Sequence, residues 1–258
     1  MNKTKCAFLP LVLLVVLLLG ACGKKEGTEA EKPAAESKLA AAATPIDPST
    51  VATISGTVKF DGAAPKPQKI DMSQDPACGS AANMTEIVVV ENGSLENAFV
   101  YVKDGLGDRT FEAPKEAVTI DQQGCRYHPH VLGVMTGQTV KVINSDNTTH
   151  NIHPTPKDNR EWNESQTPKA APLEKTFARE EILLPVKCNQ HPWMKMYVNV
   201  VKSPFYAVTD KNGKFTIAGL PPGTYTIAVV HEKFGEQDQK VTVGPKESKS
   251  VDFTVKGS

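Results

Sequence analysis

From residue 51 onward, apolar and polar positions alternate in short runs separated by turn residues. Ile54-Ser55-Gly56-Thr57-Val58-Lys59-Phe60 alternates and then breaks at DGAAP, the period-2 signature of a half-buried strand. Ile87 to Val90 is a short continuous apolar run closed by Asn92-Gly93, and Ala98 to Val102 is closed by Lys103-Asp104-Gly105. Further strands are expected at Val118–Ile120, Gly137–Asn144, Ile182–Lys187 and Tyr197–Lys202. The tail adds Lys214–Ala218, Thr224–Val230, Gln239–Val243 and Ser250–Val255, with turns at DKNG and LPPG. Residues 154–176 are polar and read as a long surface loop. No segment sustains a 3.6-residue period. The pattern predicts an all-β chain of sandwich type.

The first 50 residues do not follow this pattern. Lys3 and Lys5 precede an apolar core of about a dozen residues, the layout of a secretory signal peptide over residues 1–21. Leu19-Gly20-Ala21-Cys22 resembles the lipobox of bacterial lipoproteins, which implies cleavage before Cys22 and acylation of that residue. Acyl chains contribute about 0.8 kcal/mol per buried CH₂ and would hold the protein on a membrane face of the cell envelope, facing the periplasm. Gly23 stands where an inner-membrane retention signal would place Asp, which favours the outer membrane. Residues 22–50 carry only Leu39 and Ile46 as large apolar groups and are expected to be a disordered tether.

Composition narrows the partners. Lys+Arg and Asp+Glu are 29 each, and loss of Lys3 and Lys5 with the signal leaves a net charge of −2. With no basic excess to hold a phosphate backbone, nucleic acid is not an expected partner.

Five cysteines are present in a chain addressed to an oxidising compartment. Cys6 leaves with the signal and Cys22 is lipidated. Cys78 and Cys125 are the candidate disulfide pair, which leaves Cys188 as an unpaired thiol that must be buried or bound to a metal to escape oxidation.

The surroundings of Cys188 supply the candidate chemistry. Cys188-Asn189-Gln190-His191-Pro192-Trp193-Met194 offers a thiolate, an imidazole and a thioether from one loop between two expected strands. His150 follows a third expected strand about 40 residues upstream. Two His and one Cys with a weak, long axial Met form the ligand set of a blue-copper electron-transfer site. His153 has odd spacing from His150 and points to the other face of a strand. His128 and His130 read as parts of a surface loop stiffened by Pro129 rather than as a second metal site.

At these residues the chain resembles the cupredoxins of the amicyanin and plastocyanin type, in the C-x2-H-P-aromatic-M spacing and in Ile143-Asn144 followed by His150-Asn151-Ile152-His153. The resemblance implies copper held by His150, Cys188, His191 and Met194, with Met196 as an alternative axial ligand because C-x2-H-x4-M is the longer, plastocyanin-type spacing. It implies that Asn144 ties the two ligand loops together. It also implies an apolar rim of Pro192 and Trp193, where a redox protein such as a c-type cytochrome or a dehydrogenase docks on an exposed His191.

The tail, in Tyr206–Ile217 and Leu220-Pro221-Pro222-Gly223-Thr224-Tyr225, resembles the carboxypeptidase-regulatory-like β-sandwich, and ISGTVKFDGAAP resembles how such modules begin. The expected plan is N-terminal β segments over 51–129, a cupredoxin-like Greek-key copper module over 130–203, and a prealbumin-like regulatory module over 204–258. The copper module is inserted between or packed against strands of the other sandwich. No G-x-S-x-G elbow, phosphate loop, H-E-x-x-H or paired C-x-x-C is present, so an enzyme is not expected. The leading expectation is a membrane-anchored electron carrier cycling Cu(I) and Cu(II). The alternatives are copper storage or delivery, or a metal-free sandwich that binds carbohydrate or protein.

Overall fold

The computed structural model describes residues 43–79 and 83–257. The expected signal peptide, Cys22 and the tether as far as residue 42 lie outside them. The described residues belong to a compact unit, Ala41–Ser258, and contain strands and no helix.

The strands in chain order are β1 Ala52–Asp61, β2 Val90–Glu91, β3 Ser94–Leu95, β4 Phe99–Asp104, β5 Val118–Gln122 and β6 Tyr127–His128. There follow β7 Val131–Met135, β8 Val140–Asn144, β9 His150–Pro154, β10 Glu164–Gln166, β11 Leu173–Lys175, β12 Glu181–Lys187 and β13 Lys195–Val201. The tail holds β14 Tyr206–Val208, β15 Lys214–Leu220, β16 Gly223–His231, β17 Gly235–Val243, β18 Ser248–Ser250 and β19 Phe253–Lys256.

These strands make four sheets stacked in order. The first runs β15-β1-β3-β2, with β18 and β19 parallel to β1. It packs through Ile54, Val58, Phe215 and Phe253 on the sheet β14-β4-β16-β17. That second sheet is covered on both faces. Val100, Val102, Ile227 and Val229 point into the first core, while Phe99, Tyr101, Ala228 and Val230 meet Val131 and Val201 of the third sheet. Burial on both sides explains why β4 and β16 read as continuous apolar runs rather than as alternation. The third sheet, β10-β9-β12-β13-β7, packs on the fourth, β11-β8-β5-β6, through Ile120, Val142, Ile152, Val186, Val198 and Val200. Parallel pairs β7–β13 and β5–β8 sit within these two sheets.

The chain interleaves the two sandwiches. β1 to β4 belong to the first and β5 to β13 to the second, and β14 to β19 return to complete the first. Residues 51–129 are therefore shared between both, and strand pairing has no break at 129/130. The expected tether, residues 22–50, overlaps the described fold at its end. Ile46 packs against the first core, and the Thr44 amide donates to the Thr110 carbonyl at 2.8 Å, so order begins before residue 50.

Two local expectations differ. The run from Ile87 forms a strand only at Val90–Glu91, and Ile87 is 49% exposed because no core lies opposite it. The polar stretch 154–176 holds β10 and β11 as added edge strands. The buried position of these two strands is Gln166, whose Nε2 donates to the carbonyls of Val142 and Ala171 and whose Oε1 accepts from Gln122. A satisfied amide fills the inward position where a hydrophobic side chain would have announced a strand.

Candidate metal centre

The ligand residues sit at one end of the second sandwich. β8 ends at Asn144, and the turn that follows is set by Asn144 Oδ1, which accepts the Asp146 amide at 3.0 Å. β9 opens at His150, which is fully buried, with Ile152 in the core two residues on. Between β12 and β13 the loop from Cys188 is closed by its own backbone. The Cys188 amide donates to the Met194 carbonyl at 3.2 Å, and the Met194 amide donates to the His191 carbonyl at 2.9 Å. Cys188, His191 and Met194 are 3%, 4% and 1% exposed.

This brings together three of the expected ligands. The Nδ1 atoms of His150 and His191 face each other at 2.9 Å, and Cys188 Sγ lies 3.7 Å from His191 Nδ1. Donor atoms of all three lie within 4.8 Å of one another. Two nitrogens about 2.0 Å from one ion are separated by about 3.1–3.5 Å, and a nitrogen and a sulfur at about 2.0 and 2.3 Å by about 3.6 Å. The triangle fits a bound transition metal, with the nitrogens a few tenths of an ångström inside the expected spacing. Cys188 is the free cysteine among the described residues, and it is buried. Two imidazoles and a thiolate suit copper or zinc.

Each imidazole is held at its outer edge by a carboxylate. His150 Nε2 lies 2.8 Å from Asp146 Oδ2, and His191 Nε2 lies 3.0 Å from Asp75 Oδ2. Asp146 also accepts the amides of Gly124 and Cys125 at 2.7 Å each. Both of those residues have left-handed backbones, φ 61° and 56°, which aim consecutive N–H groups at one carboxylate. Hydrogen bonds from Thr148, from the Ala77 amide and from His191, in that order, hold the Asp75 carboxyl below its ordinary range. Burial lowers the His150 imidazole against the opposing pull of Asp146. Burial, and then the charge of Cys188, raise the Tyr127 phenol, whose hydroxyl donates to the Asn151 carbonyl at 2.5 Å.

The expected pair Cys78–Cys125 is disulfide-bonded. Cys78 Sγ stands 3.8 Å from His191 Nε2, so the bridge pins the Asp75 segment over the centre. His191 is consequently buried, which corrects the exposed imidazole expected for docking. Pro192 is exposed and Trp193 half-buried. The Trp193 ring centroid is 5.1 Å from that of His191, and its Nε1–H donates to the Cys125 carbonyl. Met194 lies at the end of the loop. Met196 lies on β13 opposite Val186, fully buried in the core.

The role expected of Asn144 falls elsewhere. Its Nδ2 donates to the carbonyls of Thr148 and Gln166 and so fixes its own turn. Asn151 joins the two ligand loops instead: its Oδ1 accepts the Asn189 amide at 2.6 Å and lies 3.3 Å from Cys188 Sγ. A strand position next to a ligand gave no cue to this in the sequence. The remaining histidines do not converge. His153 pairs with Glu161, the exposed His128 faces the Gln123 carbonyl, and the nearly buried His130 pairs with Glu232 at 2.5 Å.

Comparison with known proteins gives a domain match and weak structural neighbours. Residues 190–256 match the carboxypeptidase regulatory-like domain. Among solved structures, a Cu-containing nitrite reductase from Thermus scotoductus SA-01 is 21% identical at a TM-score of 0.32, covering 38% of this chain and 25% of that one. A purple cupredoxin from Nitrosopumilus maritimus is 23% identical at a TM-score of 0.28, covering 32% and 98%. An amicyanin mutant in its Cu(I) form is 24% identical at a TM-score of 0.30, covering 41% and 99%. The chain thus spans a quarter of the nitrite reductase and nearly all of the small cupredoxins. No curated protein matches it.

Proposed function

We propose that this protein is an extracytoplasmic electron carrier with a mononuclear copper centre. The observation that supports it is the convergence of two imidazole Nδ1 atoms and one buried, unpaired thiol at one end of a β-sandwich. His150, Cys188 and His191 would hold the copper as strong donors, and Met194 would be the weak fourth donor, favoured over Met196 by its place at the loop's end. Bound copper supplies reversible one-electron transfer between Cu(I) and Cu(II). The protein's part is to hold the donors in one geometry for both states and to keep water out, so that little rearranges when an electron moves. Lipidation of Cys22 anchors the protein to a membrane of the envelope. A redox protein approaches at Pro192 and Trp193, beside a groove of about 590 Å³ walled also by Ile70 and Ile87.

Visible and EPR spectra during titration with Cu(II), beside Cys188→Ser, test the reading. An intense thiolate-to-copper band at one equivalent, lost in the variant, is the expected result, and a colourless protein without tight copper binding overturns it. One observation favours storage as a second reading: His191 is covered where a carrier would expose it. A colourless protein that retains only Cu(I) supports storage instead.

A further inference from the structure

The donor triangle is closed at its back by two carboxylates. We propose that Asp75 and Asp146 are the positioning residues of this centre: each fixes the Nε2 proton of one ligand histidine, so that both rings turn Nδ1 inward, and together they bias the site toward a divalent ion. This rests on the metal-centre reading above.

An ionised carboxylate only accepts hydrogen bonds, so each Nε2 facing one carries the proton and each Nδ1 keeps its lone pair. Such outer partners set ring orientation and ligand basicity at metal sites. Here the partners are themselves anchored. Asp146 is gripped by the amides of Gly124 and Cys125. Asp75 Oδ1 accepts the Ala77 amide at 2.9 Å, and its Oδ2 accepts Thr148 Oγ1 at 2.8 Å. Thr148 lies in the turn between Asp146 and His150, so the two carboxylates brace the same turn from two directions. The Cys78–Cys125 bridge ties the two supports together, because Cys125 donates its amide to Asp146 and Cys78 follows Asp75 by three residues.

With both Nε2 atoms protonated, two lone pairs meet at 2.9 Å. A metal cation held by both nitrogens, or a proton shared between them as N–H···N, makes that contact favourable, and the metal replaces the proton when it binds. The charge count sets which cation. Asp75, Asp146 and a Cys188 thiolate carry three negative charges, so a divalent ion leaves −1 where a monovalent ion leaves −2. The carboxylates are only 23% and 16% exposed at their side chains, so water screens this difference incompletely.

Two variants of the full chain separate orientation from charge. Asp75→Asn keeps an oxygen acceptor and loses the charge, and Asp75→Leu loses both. In the imidazole 15N–1H spectrum of the metal-free protein, both Nε2 atoms are expected to be protonated in the parent and in Asp75→Asn. His191 Nε2–H is expected to be lost in Asp75→Leu. In competition with chelators of known strength, Asp75→Asn is expected to lower Cu(II) affinity relative to Cu(I) about tenfold, equivalent to a rise of about 59 mV in midpoint potential. A bare His191 Nε2 in the parent overturns the positioning role, and an unchanged Cu(II)/Cu(I) ratio in Asp75→Asn overturns the bias. A protein that binds no copper overturns the proposed function and the bias with it, while the metal-free spectrum still decides orientation.

Discussion

Asn151 Oδ1 is the single oxygen that receives both the Asn189 amide and the Cys188 thiol, and its Nδ2 donates to Asn163 at 2.6 Å. All of this lies in a position 3% exposed. Asn151→Ala leaves the Asn189 amide, in a partly buried hydrogen bond, without its acceptor, a loss of about 1 kcal/mol. Urea denaturation of the metal-free protein is expected to show that loss, and the Cu(II) complex of the variant is expected to dissociate faster as the Cys188 loop loosens. His231 gives a pH prediction at the same scale. It is 2% exposed, accepts the Lys233 amide at Nδ1, and stacks on Phe234 with centroids 4.9 Å apart. Burial, opposed by Glu232 and aided by His130, lowers it from 6.5 to about 4. Above pH 6.5 neither the folded nor the unfolded chain protonates this ring, so it adds nothing to the pH dependence. Between 6.5 and 4 the unfolded chain takes the proton and the folded chain does not. Stability therefore falls with falling pH across that window, by on the order of 3 kcal/mol, and the loss levels off below it. Chemical denaturation at stepped pH is expected to show this slope reduced in His231→Gln.

At the scale of elements, β7 shows how a strand escapes the sequence pattern. Val131-Leu132-Gly133-Val134-Met135 is buried throughout, so it lacks alternation, and Gly133 interrupts it. The glycine is required by approach. A Cβ there would lie 2.4 Å from the Tyr206 ring and 2.8 Å from that of Phe99, where the second and third sheets meet. Gly133→Ala is expected to cost about 1–3 kcal/mol by overpacking, read as a lowered denaturation midpoint, and Tyr206→Ala in the same background is expected to recover part of it. The ligand loop was legible for the opposite reason. Cys188, His191 and Met194 lie within seven residues, so their spacing alone carries the chemistry. Asp75 was not legible, since it reaches His191 from 116 residues away and an aspartate in a polar segment has no local mark of such a role. Cys78 and Cys125 could be named as the candidate pair, but not placed beside the ligands.

At the scale of the whole molecule, the all-β sandwich class followed from the absence of helical period, whereas the interleaving did not. Each strand run reads alike whichever sandwich it joins, and the choice is made by partners far along the chain. β1 lies against β15, β18 and β19, with Thr57 opposite Lys214 and Val58 opposite Phe253. Neither sandwich can therefore lose its strands without releasing the other's connections: unfolding the second frees the chain between β4 and β14, a pair that hydrogen-bonds directly. The layer of Phe99, Tyr101, Val131, Val201, Ala228 and Val230 adds a shared core between them. The two units are thus expected to unfold as one cooperative transition. The tryptophans supply a local probe, because Trp162 and Trp193 both pack against the second core, while far-ultraviolet circular dichroism reports the strands of both. Thermal or denaturant curves from the two signals are expected to coincide. Val230→Ala, which removes two methyl groups from the shared layer, is expected to cost about 1–2 kcal/mol and to shift both curves together. Curves that separate, with tryptophan emission changing while half the strand signal persists, would mean that the first sandwich stands without the second and that interleaving does not couple them.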